Sequence, residues 1–129
     1  MSLQVGLKKS LAQVVAENDT ALAVGSGSLK VLATPKLIAL VEKAAAELVE
    51  ENLSQELTSV GISVNFEHTA PTPVGMKIFA EVEVIEVDGR KIIFKVTAAD
   101  EVSEIGHGQH ERFIVNREKF QTKADSKNS

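Results

Sequence analysis

Glu42 and His68 stand where apolar neighbours surround them, and Thr34 sits beside the segment that carries Glu42. Glu42 lies in the run PKLIALVEKAAAELVEEN, rich in Ala, Leu, Glu and Lys, which are strong helix formers. On a wheel at about 100° per residue, Leu37, Ile38, Val41, Ala44, Ala45, Leu48 and Val49 form one apolar stripe. Lys36, Lys43, Glu47, Glu50 and Glu51 gather on another side, with Leu40 among them. Glu42 falls at the margin of the stripe, between Val49 and Ala46. A carboxylate partly withdrawn from water is a candidate for acid–base or nucleophilic work. The alternative is a rim residue whose stem reaches solvent.

Residues 58–69 (TSVGISVNFEHT) change the period to two. Val60, Ile62, Val64 and Phe66 share one face, His68 continues that row, and Ser59, Ser63, Asn65, Glu67 and Thr69 take the other. An imidazole on the core side is either a satisfied core histidine or a proton carrier. A helical carboxylate and a strand imidazole entering one layer favour a site. Thr34, directly before Pro35, reads as a helix N-cap with Pro35 at the first helical position; its hydroxyl is also available for chemistry. Gly61 interrupts a strand, the signature of a bulge or of a ligand approaching the backbone. His107 and His110, three apart in a strand-like stretch, point to opposite faces, and without cysteine or a nearby acidic pair no metal site is expected. Gly25-Ser26-Gly27 lacks the spacing and the lysine of a phosphate loop.

These residues need elements to hold them. A loose alternation over 7–16 gives a first strand, and a turn-rich segment, Glu17 to Lys30, leads to the helix. Strands follow at 58–69, 76–87, 90–98 and about 107–115, with Asp88-Gly89 a tight-hairpin signal between the middle two. A long amphipathic helix beside an antiparallel meander predicts an α+β domain whose sheet covers the apolar stripe. The domain is expected over residues 1–120, with 121–129 a polar, disordered tail.

Composition narrows the function classes. With 43% hydrophobic and 25% charged residues the chain can build a core, and with 4% aromatics that core is aliphatic. A net charge of -4 and no interleaving of basic and aromatic residues argue against nucleic acid. The absence of cysteine removes disulfides, thiolate metal sites and a cysteine nucleophile. No apolar run approaches the roughly 20 residues of a membrane span, and the amino terminus lacks a signal peptide's apolar stretch. A soluble cytoplasmic protein is expected.

Three segments carry a resemblance: VLATPKLIALVEKA, with Thr34 and Glu42; TSVGISVNFEHTAPTPVG, with Gly61 and His68; and EIGHGQHERFIVNREKF, with Arg112. In their order and spacing the chain resembles the fluoroacetyl-CoA thioesterase-like family of hotdog-fold proteins, from about Val5 to Phe120. The resemblance implies a hotdog fold, a long central helix wrapped by an antiparallel sheet of about five strands. It also implies a homodimer with sites at the subunit interface, or a dimer of dimers. The implied reaction is hydrolysis of an acyl-CoA to a carboxylate and free CoA, with CoA present as part of the substrate and no cofactor. The family's catalytic Thr, Glu and His fall on Thr34, Glu42 and His68, its active-site Gly on Gly61 and its Arg on Arg112. For Arg112 a structural ion pair is the alternative. Glu42 is assigned as attacking carboxylate or general base, His68 as proton carrier and Thr34 as the orienting hydroxyl. Backbone N–H groups near Gly61 or at the helix start are the expected oxyanion donors. The family's lid of two Phe residues falls on Gly25 and Ser28, which implies a more open mouth and a general or differently selective short-chain thioesterase. Two rivals are a hotdog enoyl-CoA hydratase, which would leave a saturated acyl-CoA intact, and a non-catalytic acyl-CoA- or CoA-binding hotdog module.

Overall fold

A computed structural model describes residues 3–128. The first two positions of the expected 1–120 domain and the last of the expected 121–129 tail lie outside the described residues. Strand β1 (Lys8–Val14) leads through a single 3-10 turn (Glu17–Asp19) and a one-turn helix, α1 (Ala21–Val24), into the long helix α2 (Thr34–Glu50). Strands β2 (Leu57–His68), β3 (Lys77–Asp88), β4 (Lys91–Asp100) and β5 (Glu104–Asn116) follow, then helix α3 (Arg117–Asp125) and a 3-10 turn (Ser126–Asn128).

The five strands form one antiparallel sheet in the order β1-β3-β4-β5-β2. A plain meander was expected. Only β3, β4 and β5 follow one another as neighbours; β2 lies at the far edge beside β5, so the chain crosses the sheet between β2 and β3. Gly89, with φ 61°, makes the tight turn between β3 and β4, a conformation open to glycine without penalty.

The sheet curls around α2, which packs on β1, β2, β3 and β4. Leu37, Val41, Ala44, Ala45, Leu48 and Val49 are buried in that contact, joined from the sheet by Ile78, Val82, Val84, Ile92, Phe94 and Val96. Each fully buried aliphatic side chain contributes roughly 1.5–3 kcal/mol. Leu40, placed among charges by the wheel, is buried as well. The curled sheet, with Leu3, Leu7 and Leu11 packed on the core, covers a wider arc of the helix than a flat layer would.

Two expectations at the ends of elements are corrected. The final strand starts at Glu104 rather than near His107, because Ile105 is a core residue and two glycines masked the alternation after it. Residues 121–125, expected in a disordered tail, belong to α3: the Asn116 side chain accepts from the Lys119 N–H at 3.0 Å and starts the helix. No residue of α3 is buried, so it has no apolar stripe to read. Among the described residues no helix is long and apolar enough to cross a membrane.

Candidate active site

Thr34 is the first residue of α2, and the N-cap position belongs to Ala33, which has no side-chain hydrogen bond to give. The cap expected of Thr34 is therefore not made, and Pro35 occupies the second helical position. The Thr34 hydroxyl instead lies 2.8 Å from Nδ1 of His68, the last residue of β2. That separation lies within the range required of a hydroxyl and its base. His68 is half-buried, and its other nitrogen, Nε2, is shielded from solvent with no hydrogen-bond partner among the described residues. Burial pushes the His68 pKa below its usual value, and a backbone contact to Ala70 opposes this. The ring is thus neutral near pH 7 and able to accept a proton. Both side chains open on a cleft of about 320 Å³ whose walls include Ala21, Val31, Leu32 and Ala70. From the segment after α1, Ser26 lines the cleft, and Gly25, in left-handed conformation at the end of α1, and Ser28 are exposed to either side of it in sequence.

A second cluster forms eight residues further along α2. The Glu42 side chain is 42% exposed, and its Oε2 is 3.8 Å from Nη1 of Arg112. Below it lies Gly61: a Cβ there would come within 2.7 Å of Glu42 Oε2, 3.3 Å of His110 Cε1 and 3.4 Å of Arg112 Nη1. Arg112 is buried, donating from Nε to Ser59 Oγ at 2.7 Å and from Nη2 to the Ser59 carbonyl at 2.9 Å. Burial lowers its pKa and the Glu42 and Glu50 carboxylates oppose that; a guanidinium so placed remains a cation. His110, fully buried, stacks on Phe94 with ring centroids 6.1 Å apart.

The path of β2 explains how its residues reach these clusters. The register against β5 shifts between Gly61 and Ser63, so Ile62 is the extra residue of a β-bulge, one of the two readings Gly61 allowed. The expected single row Val60, Ile62, Val64, Phe66, His68 is thus broken. Before the bulge Ser59 and Gly61 face α2; after it Val64, Phe66 and His68 do, opposite His110, Gly108 and Gly106. Ile62 is turned out, 51% exposed.

The fold therefore joins Thr34 to His68, and Glu42 to Gly61 and Arg112, without joining the two sets in one chain. Eight residues of helix put about 12 Å between them. The shared cleft expected for Glu42 and His68 is not closed by a single protomer.

Comparison with known proteins decides the family. The family described as "Fluoroacetyl-CoA-specific thioesterase" matches residues 15–118. The fluoroacetyl-CoA thioesterase of Streptantibioticus cattleyicolor is 36% identical over 98 residues, covering 76% of this chain and 70% of that protein. A crystal structure of a fluoroacetyl-CoA-specific thioesterase variant superposes with a TM-score of 0.92 at 30% identity, covering 98% of each chain. The chain belongs to the fluoroacetyl-CoA-specific thioesterase family.

Its hotdog fold is shared more widely. A thioesterase superfamily member from Thermus thermophilus superposes with a TM-score of 0.90 at 21% identity, covering 98% of this chain and 94% of that one. Membership makes the protein a thioester hydrolase acting on acyl-CoA; neither the hydratase nor the non-catalytic reading is favoured. Within this thioesterase the sequence reading missed Ser59 and His110, weighing the latter only as a metal ligand. Its spacing of two from Arg112 on one strand was the available signal, since it puts both on the same face. Among the described residues no cluster of three or more His, Asp or Glu side chains is placed to hold a metal.

Proposed function

We propose that this thioesterase hydrolyses short-chain acyl-CoA without fluoroacetyl selectivity, at composite sites that two subunits build together. The Thr34–His68 contact at 2.8 Å, beside an open cleft and remote from Glu42, carries this reading. Among the described residues β2 is an edge strand paired with β5 alone, and Ile62 and Val64 leave 51% and 38% of their surface in water. Pairing two β2 edges antiparallel about a two-fold axis covers them. In the register that sets Asn65 against Asn65 of the partner subunit, with the bulge residue Ile62 passed over, Gly61 faces His68 of the partner subunit. Glu42, lying over Gly61, then meets an imidazole it cannot reach in its own chain.

In that site Glu42 acts as general base on water, whose oxygen bonds to the acyl carbon. The oxyanion is held by backbone N–H groups near Gly61 and at the positive end of the partner subunit's α2. Glu42 hands the proton taken from water to His68 of the partner subunit, which passes it to the sulfur as the carbon–sulfur bond breaks, and Thr34 of the partner subunit holds that imidazole in place. The second proton of water leaves as the product carboxylic acid ionises. CoA arrives as part of the substrate and no cofactor is used. Small or flexible residues at Gly25 and Ser28 leave the mouth open to acyl groups bulkier than fluoroacetyl. With no cysteine, the chain is suited to the reducing cytoplasm.

Glu42→Gln and His68→Ala test this, alone and after mixing and subunit exchange, by thiol release from a panel of saturated acyl-CoAs. Each variant alone loses most of kcat. Random exchange forms heterodimers with one intact site, restoring about a quarter of wild-type activity. No recovery from a confirmed heterodimer sinks the composite site.

A further inference from the structure

His110 has no place in the chemistry above, yet its surroundings are more specific than a core position needs. Its Nδ1 lies 2.9 Å from the Ser63 carbonyl, which can only accept, so Nδ1 carries the hydrogen. Nε2 is then a lone pair, 3.2 Å from Arg112 Nη1, which can only donate. This fixes the tautomer. Burial and the Arg112 charge both hold the ring neutral, against the opposing pull of the Ser63 carbonyl and the Glu42 and Glu111 charges.

The other two guanidinium nitrogens of Arg112 are held by Ser59. Nη1 is the one that approaches Glu42, and its direction depends on His110. A buried Arg is seldom the most stable choice for a core, because apolar residues of similar volume commonly serve as well. We propose that His110 is a positioning residue for the hydrolysis, its Nε2 holding Arg112 Nη1 toward Glu42 and so fixing the carboxylate above Gly61. The proposal rests on Glu42 acting as the base.

The test is a set of folded full-length dimers: His110→Gln, His110→Asn, Glu42→Gln and the His110→Asn/Glu42→Gln double variant. Gln places an amide oxygen near the Nε2 position and can still accept from Arg112; Asn reaches only as far as Nδ1. Gln is expected to stay within about threefold of wild-type kcat and Asn to lose roughly 10- to 100-fold, with KM nearly unchanged. In the Glu42→Gln background the Asn change should cost little more. Equal losses in Gln and Asn, a loss confined to KM, or full additivity in the double variant each overturn the positioning role. Full activity in Glu42→Gln overturns the function reading instead, so the two failures are distinguishable. Should both His110 variants fail to fold, the imidazole ¹⁵N shifts of wild-type protein decide: a neutral Nδ1–H ring at pH 7 supports the proposal, and an Nε2–H or charged ring refutes it.

Discussion

Glu42 occupies the space that a side chain at position 61 would need, its Oε2 2.7 Å from where a Cβ would stand. Replacing Gly61 with Ala therefore acts on the carboxylate first, because the tip of a flexible Glu moves more easily than the strand beneath it. Gly61→Ala is expected to lower kcat roughly 10- to 100-fold through misplacement of Glu42. Its melting temperature should stay within about 4 °C of wild type. A variant that melts much earlier, or one fully active, contradicts this account.

Thr34 separates two roles that predict different losses. As an N-cap, its loss would cost about 1 kcal/mol. Since Ala33 holds that position and the Thr34 hydroxyl is engaged with His68, Thr34→Val should change unfolding free energy by less than about 0.5 kcal/mol. Activity should still fall roughly tenfold or more, as the imidazole loses the group that orients it. Urea melts and steady-state kinetics on one preparation separate the two.

The histidines set the acid side of stability. Both His68 and His110 have folded pKa values below 6.5, so the unfolded chain binds their protons more tightly. Stability is then greatest above pH 6.5 and falls as the pH drops through that value toward the folded pKa values. The urea midpoint should be lower at pH 5.5 than at pH 7.5. A higher midpoint at pH 5.5 would contradict the direction for both rings. Activity should follow the same sign, since a protonated His68 cannot accept a proton.

Gly108 is a structural glycine. A Cβ there would lie 2.1 Å from the Asn65 carbonyl oxygen and 2.8 Å from the Phe66 Cα, both backbone atoms with nowhere to go. Gly108→Ala should destabilise the domain by about 2–4 kcal/mol, visible as a shifted urea midpoint or loss of soluble protein. Wild-type stability would mean that the β2–β5 pairing tolerates more separation than the register implies.

Much of this site was legible in the sequence, and the gaps have physical causes. The margin position of Glu42 followed from helical spacing, which a long, well-patterned helix keeps. His68 was placed on the core side correctly, although the row assigned with it was wrong in its first half, because a bulge resets the alternation and announces itself only by a glycine. The cap at Thr34 was misread because Thr before Pro satisfies the local rule while a residue distant in sequence claims the hydroxyl. The convergence of Glu42 and His68 was read as one layer, when the helix spans that layer from end to end. The sheet order was out of reach, since pairing of β2 with β5 is a long-range contact that no local spacing encodes.

Ile62 makes distance along the chain a poor guide to orientation. Gly61 and His68 differ by an odd number of positions, yet both look toward α2, because one residue between them does not advance the ladder. A relative that builds the same pair of inward-looking groups on an unbroken strand would carry one residue fewer between them. Matching such a pair by counting residues shifts the imidazole by one place, onto a neighbour that faces away from the helix. Matching by inward face keeps it aligned, and a chain lacking Ile62 would still present its glycine and its imidazole to the same side.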